Sequence, residues 1–257
     1  MLLEIKNLCK SFSGSEREVL KNISLSIEKG DFVCIVGPSG CGKTTLLNII
    51  AGLEKQTSGE VLLNGVPVEK PGADRTVMFQ EPSLYPWLNV HENVCFGMKI
   101  SKLEKAEQER RAEKYLKMVH LWDFRSYAVH ELSGGMKQRA VLARALTMDS
   151  AVLLMDEPFS ALDKQTINIL RAELEDIWLT TGRTIIFITH SVEEAVYFAD
   201  KVVVLSENPG QIKEIYAVEL PRPRQIDSEE FLSFRKKILS SVRSEAKKNA
   251  KAEYDKA

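Results

Sequence analysis

Eight consecutive residues, Gly37-Pro38-Ser39-Gly40-Cys41-Gly42-Lys43-Thr44, carry the clearest chemistry in the chain. They satisfy the pattern G-x-x-x-x-G-K-[ST] at every fixed position. A row of phosphates needs several donors at short range. Glycines let the backbone curl until successive N–H groups point at one centre, with no Cβ in the way. Lys43 adds a compact positive charge for the outer phosphates. The Thr44 hydroxyl is a Mg²⁺ ligand whose remaining shell is water and phosphate. A plain glycine turn ahead of a helix would explain the glycines alone, but the flanks favour the phosphate reading. Phe32 to Val36 is an apolar run of strand length, and Leu46, Leu47, Ile49 and Ile50 recur at helical spacing. A helix starting at this point adds its unpaired N–H groups and its dipole to the anion site.

Four further groups have types and positions that suit the same chemistry. Ala151 to Met155 is an apolar run that stops abruptly at Asp156-Glu157. Asp156 suits a Mg²⁺ contact and Glu157 a general base that orients or deprotonates water. Thr76 to Phe79 is a short strand ending in Gln80, which can ligate Mg²⁺ or position a water. Thr184 to Thr189 is a buried strand ending at His190, placed to sense a terminal phosphate or polarise an attacking water. Leu132-Ser133-Gly134-Gly135 opens a helix that continues through Ala140 to Leu146. Ser133 is a reasonable N-cap, and the two glycines expose N–H groups for a second anion site. Phe12 offers a ring face for a nucleobase, or else is an aromatic of the core. Cys41 sits where a helix N-terminus lowers a thiol pKa, so it is either reactive and shielded by the bound phosphates or an inert loop thiol.

The elements that must position these groups read as alternating strands and helices. Leu3 to Leu8 and Val19 to Ile27 are strands with a Gly14-Ser15 turn between them, and Asn64-Gly65 marks a hairpin. Leu103 to Met118 is an exposed helix whose charges form a solvated face. Lys164 to Thr180 is a helix ended by Gly182. Ser191 to Phe198 is helical, Lys201 to Leu205 a strand, and Ile212 to Val218 follows a turn at Asn208-Pro209-Gly210. Pro82 to Leu88 holds apolar residues on an irregular, proline-broken backbone. It is either a partner surface or a loop folded onto the core. Leu220-Pro221-Arg222-Pro223-Arg224 reads as a stiff linker. Beyond it, Phe231, Phe234, Ile238, Leu239 and Val242 share one helical face. Packing on its own domain or on a second copy is preferred there to membrane binding. The last dozen residues read as frayed.

The whole chain has 257 residues, 44% hydrophobic and 28% charged, with a net charge of -1. That suffices for a sizeable core and leaves no basic footprint for nucleic acid. Cys9, Cys34, Cys41 and Cys95 show no C-x-x-C spacing, which points to a reducing compartment. The first residues lack a signal peptide's basic start and long apolar stretch, and no uncharged run approaches bilayer length. The expectation is a soluble cytoplasmic protein, any membrane role of which comes through partners.

Taken together, these motifs resemble the ATP-binding subunit of an ABC transporter over nearly the full length. Gly37–Thr44 is similar to Walker A, Val152–Asp156 to Walker B, and Leu132–Gly135 to the ABC signature. Glu157 matches the catalytic glutamate, Gln80 the Q-loop, Asp163 the D-loop, His190 the switch histidine and Phe12 the adenine-stacking aromatic. Met136 departs from the family's usual Gln. The resemblance implies an α/β P-loop NTPase (RecA-like) core with an N-terminal antiparallel β-region and an inserted α-helical subdomain. The segments expected are 1–80 and 151–220 for the core with its β-region, 81–150 for the helical signature subdomain, and 221–257 for the linker and C-terminal helix. It implies ATP hydrolysis with Mg²⁺. Glu157, His190 and Gln80 would be catalytic, and Thr44, Gln80 and Asp156 would hold the metal. Phe12, Gly37 through Thr45 (Pro38, Ser39, Gly40, Cys41, Gly42, Lys43, Thr44) and Ser133, Gly134 and Gly135 would hold the nucleotide. The implied partners are a second copy, transmembrane permease subunits and, indirectly, a solute-binding protein, with no nucleic acid. The place is the cytoplasmic face of the membrane. Phe79 to Leu88, Asn93-Val94, Pro209 to Ile212 and Leu220 to Arg224 resemble the nitrate, sulfonate and taurine importer branch. A soluble ABC ATPase acting on ribosomes or DNA is the alternative, and a small-molecule kinase is a second.

Overall fold

The computed structural model describes residues 1–254 apart from Ser13, Ser15, Glu16 and Ala161, with side chains described as far as Ser244. In chain order the strands are β1 (Leu3–Ser11), β2 (Glu18–Ile27), β3 (Phe32–Val36), β4 (Ser58–Leu63), β5 (Val66–Pro67), β6 (Arg75–Met78), β7 (Val152–Asp156), β8 (Thr184–Ile188), β9 (Lys201–Leu205) and β10 (Ile212–Ala217). The helices are α1 (Lys43–Ala51), α2 (Val90–Ile100), α3 (Lys105–Met118), α4 (Gly134–Thr147), α5 (Lys164–Thr181), α6 (Val192–Phe198) and α7 (Glu229–Tyr254). They form two compact units, Met1–Gly72 with Arg183–Ala257, and Ala73–Gly182. These limits are not those of the three segments read from sequence. The second unit takes in Gln80, β7 and α5 along with the signature helix.

In the first unit, β1 lies between β2 and β4, and β5 completes an antiparallel sheet. Period-2 alternation sets its faces: Leu20, Ile23, Leu25 and Ile27 of β2 are buried, while Lys21, Ser24 and Ser26 face out. Asn64 and Gly65 both have positive φ and close the β4–β5 hairpin in a two-residue loop. Gly14 also has positive φ and sits in a turn; Ser15, expected beside it, lies outside the described residues.

The same unit holds β3 between β8 and β9, parallel to both, with β10 antiparallel to β9. β3 and β8 are buried along their whole length, as continuous apolar runs in a parallel sheet must be. Phe32 stacks on Phe198 of α6 with centroids 5.0 Å apart.

The C-terminal helix packs on its own unit. Phe231 and Ile238 are fully buried, each contributing about 1.5–3 kcal/mol. Arg235 pairs with Glu193 of α6 at 3.0 Å, and Lys213 Nζ donates to the Ser241 carbonyl at 2.9 Å. Residues 255–257, at the end read as frayed, lie outside the described residues.

Leu220 to Arg224 is not a free spacer. Arg224 is 6% exposed, and its guanidinium donates to the carbonyls of Val196, Ala199 and Val218 at 2.7, 2.6 and 2.9 Å. Arg222 donates to the Phe198 carbonyl at 2.5 Å and to Asp200 at 3.0 Å. The last carbonyls of a helix have no intrahelical donor, and a cation there also meets the negative end of the dipole. The two arginines therefore close the end of α6.

In the second unit, β6 and β7 run parallel, with Arg75 opposite Val152 and Met78 opposite Met155. Asn89 and Glu92 form a reciprocal capping box at the start of α2. Ala112, Tyr115 and Leu116 are the buried face of α3, and Glu107–Arg110 and Lys117–Glu113 pairs line its solvated side. Asp163 caps α5, accepting from the Thr166 N–H at 2.9 Å, and Gly182 ends that helix in the left-handed region.

Candidate active site

The residues marked in the sequence fall into two sets. Phe12, Gly37 to Thr45 and His190 belong to the first unit; Gln80, Ser133 to Gly135, Asp156, Glu157 and Asp163 belong to the second.

In the first unit, β3 ends at Val36 and α1 begins at Lys43, so the glycine loop is the whole connection. Gly40 and Gly42 have φ of 78 and 93, conformations that side chains resist. A Cβ on Gly37 would lie 2.9 Å from both Cys41 Sγ and the Leu205 carbonyl, and one on Gly42 would lie 2.7 Å from Leu20. A Cβ on Gly40 would meet nothing, so that glycine serves the backbone curl and leaves open space above it. Lys43 is 5% exposed, and its ammonium donates to the carbonyls of Gly37 at 3.0 Å and Pro38 at 2.8 Å. Ser39, Gly40 and Thr44 are exposed, and Gly37 to Thr45 contains no acid. N–H donors, one ammonium and hydroxyls without a carboxylate fit a polyphosphate.

Burial favours the inert reading of the Cys41 thiol. It is 1% exposed, and burial pushes its pKa up, outweighing the nearby Lys43. The backbone N–H of Lys43, at the helix start, does act on the sulfur and lowers its pKa, but burial is the larger effect. The thiol's place in the loop is steric, against Gly37.

Phe12 follows β1 and is 43% exposed, with Lys10 Nζ 4.7 Å from its ring centroid. It is therefore no core aromatic. His190 is exposed, two residues past the end of β8. The strand end is fixed next door, where buried Thr189 donates to Glu194 at 2.5 Å and accepts from the Ser191 N–H at 2.9 Å.

In the second unit, Asp156 is 4% exposed at the end of β7. Glu157 follows with φ of 46, left-handed for a residue that is not glycine. Such a conformation costs about 1–3 kcal/mol and persists only where its surroundings fix it. Its carbonyl accepts from the N–H and hydroxyl of Ser160 at 3.2 and 3.1 Å. Its carboxylate accepts from Gln80 Nε2 at 3.3 Å, so the structure brings these two predicted residues together. Among the described residues no cluster of three His, Cys, Asp or Glu could hold a metal. A Mg²⁺ bound mainly through phosphates and water needs only one or two protein oxygens.

Ser133 caps α4, its hydroxyl accepting from the Met136 N–H at 3.3 Å. A Cβ on Gly134 would meet nothing within 4 Å, and one on Gly135 only Leu162 at 3.4 Å. Neither glycine has positive φ. The fold of this chain does not demand them.

The structural roles of three side chains went unread in the sequence, although Asn93 was noted as part of the importer-branch resemblance. Asn93 is completely buried and ties down Pro82 to Leu88, accepting from the Tyr85 N–H at 2.7 Å and donating to the Tyr85 and Leu88 carbonyls. Arg144 of α4 donates to the Ser83 carbonyl at 2.7 Å and to its hydroxyl at 3.0 Å. Gln138 is 2% exposed and donates to the Pro158 carbonyl at 2.7 Å. Only Asn93 left a usable signal, a polar residue one step beyond the Asn89–Glu92 box. With the loop so held, Leu84 is buried while Trp87 is 74% exposed. Pro82 to Leu88 is thus partly core and partly open surface.

The ABC transporter family profile matches residues 20–160. An uncharacterized ABC transporter ATP-binding protein of Methanocaldococcus jannaschii is 50% identical over 251 residues, 97% of this chain and 94% of its own. An aliphatic sulfonates import ATP-binding protein of Bacillus cereus is 42% identical over 241 residues, 93% of this chain and 95% of its own. A nitrate import ATP-binding protein of Synechocystis sp. is 48% identical over 223 residues, 86% and 84% respectively. A solved dimeric ATP-binding cassette in a post-hydrolysis state, bound to ADP and Pi, superposes with a TM-score of 0.76 at 31% identity, covering 86% of this chain and all of its own. The chain belongs to the ABC transporter family, as an ATP-binding, ATP-hydrolysing subunit with the P-loop NTPase fold. Among the described residues no helix is long and apolar enough to cross a membrane.

Proposed function

We propose that this chain powers the import of a small anion of the nitrate, sulfonate or taurine class. It would act through a separate permease, at the cytoplasmic face of the membrane. The observation that carries the reading is the Gly37–Thr44 loop. Gly37 and Gly42 have no room for a Cβ, Gly40 and Gly42 have positive φ, the segment itself contains no acid, and its lysine is buried at the loop carbonyls. The cargo class follows the names of the relatives.

Each residue has a distinct task. The loop N–H groups and Lys43 bind the phosphates, and Phe12 offers its exposed ring to the base. Thr44, Gln80 and Asp156 are assigned to Mg²⁺, which supplies neutralisation of phosphate charge when bound. Glu157 orients the attacking water and takes up its proton, while Gln80 holds the carboxylate from the side. His190 donates toward the terminal phosphate. Ser133, Gly134 and Gly135 serve the nucleotide of a second copy, which explains why Gly134 faces open space in its own chain. The dimer would be symmetric, with two ATP molecules bridging it and hydrolysis removing the bridge. The Tyr85–Trp87 ridge would relay closure to the permease.

The test is a pull-down from native membranes with tagged Glu157→Gln chain, with and without MgATP, read by mass spectrometry. Recovery of a polytopic membrane protein is expected, and its neighbouring solute-binding protein would identify the cargo. Recovery of ribosomal or DNA-bound partners alone would overturn the reading.

A further inference from the structure

The left-handed backbone at Glu157 needs something to hold it, and the hydrogen bonds around it show what does. Its own carbonyl is occupied by Ser160. The next carbonyl, that of Pro158, accepts from Gln138 Nε2 at 2.7 Å. Proline has no N–H and a fixed φ, so this carbonyl is the one polar group through which residue 158 can be gripped. Gln138 lies on α4, five residues beyond Ser133, with its amide at 2% exposure. Among the described residues its Oε1 accepts no hydrogen bond. A buried amide that leaves an acceptor unsatisfied is a cost to the fold. An apolar side chain of the same size would remove that cost but leave the buried Pro158 carbonyl without this donor, so the use of the amide lies at Pro158.

We propose that Gln138 is a positioning residue for ATP hydrolysis. Its amide fixes the Glu157-Pro158 turn to the signature helix, so that the placement of Ser133 to Gly135 and the aim of the Glu157 carboxylate are mechanically one. It touches no reacting atom. The inference rests on the assignment of Glu157 as the base. When α4 shifts, the Pro158 carbonyl follows it, and the carboxylate is re-aimed without any change in the glycine loop.

The test is a double-mutant cycle on the full chain. ATP turnover, ATP affinity and melting temperature are measured for Gln138→Met, which keeps the volume and removes the donor, in native and Glu157→Gln backgrounds. Misplacing a catalytic group by about 1 Å costs on the order of a hundredfold. Gln138→Met is therefore expected to lower turnover by about ten- to a hundredfold, with ATP affinity within about threefold. In the Glu157→Gln background the same change is expected to have no further effect. Gln138→Asn is the second variant. It is one methylene short of the carbonyl, keeps a polar amide in the site, and is expected to show the same loss. Native turnover in the folded variants overturns the proposal, as does an equal proportional loss in both backgrounds. If Glu157→Gln itself keeps native turnover, the assignment of Glu157 fails instead, and the two failures are distinct.

Discussion

Arg224→Ala tests whether the Leu220–Arg224 segment is structural. The guanidinium is buried and serves the carbonyls of Val196, Ala199 and Val218 at 2.6 to 2.9 Å, with longer bonds to those of Tyr197 and Leu220. A hydrogen bond to a charged group is worth about 1.5–3 kcal/mol, and each carbonyl stranded without a donor costs about 1–3 kcal/mol. Water entering the vacated space offsets part of three such losses. The expected destabilisation is about 3–5 kcal/mol, near the top of the range for single substitutions. For a chain of this size, about 2–4 °C per kcal/mol makes that a fall in Tm of about 10 °C. Arg224→Lys retains a cation but lacks the planar fork, and about half the loss should remain. Circular dichroism melts of the three proteins in one buffer give the answer. A fall of less than about 3 °C for Arg224→Ala would refute the reasoning. Water would then satisfy those carbonyls as well as the guanidinium does.

Three further outcomes follow from the site. Glu157→Gln should retain ATP binding and lose about 10²–10⁴-fold in turnover, the usual contribution of a general base; steady-state hydrolysis near the native rate would exclude that role. Lys43→Ala should lose ATP binding in calorimetry, because the ammonium held at the Gly37 and Pro38 carbonyls is the loop's only formal charge. Cys41 should resist alkylation at pH 8 with or without ATP. Burial raises its pKa, so the neutral thiol persists as the pH climbs through the ordinary cysteine range. Cys95, pushed up to about 11, should behave likewise, and half-exposed Cys9 should label first in peptide mass spectrometry. Labelling of Cys41 as fast as Cys9 would contradict this.

The parts legible in sequence were those encoded locally. The Gly37–Thr44 loop, the buried runs of β3, β7 and β8, and the caps at Ser133 and Gly182 depend on neighbours within a few residues. The sequence therefore carries them directly. What stayed hidden depends on distant partners. Gln138 meets Pro158 across 20 residues and Arg144 meets Ser83 across 61, so neither had a periodicity to betray it. Arg224 looked like part of a proline-stiffened spacer because its carbonyl acceptors lie up to 28 residues away. The choice between the two readings of Cys41 stayed open in the sequence for a related reason. Position near a helix start is readable, but burial, which governs that thiol, is a property of the fold.

The exposure of Trp87 also gives the chain an optical handle. It is one of three tryptophans, and both others, Trp122 and Trp178, are half-buried. At 74% exposure, with the Tyr85 ring centroid 5.5 Å away, its indole emits largely into water. The isolated chain's fluorescence thus contains a red-edge component from one known position. Whatever covers the ridge shifts that component toward the blue and shields it from soluble quenchers, so association can be followed in real time without a label.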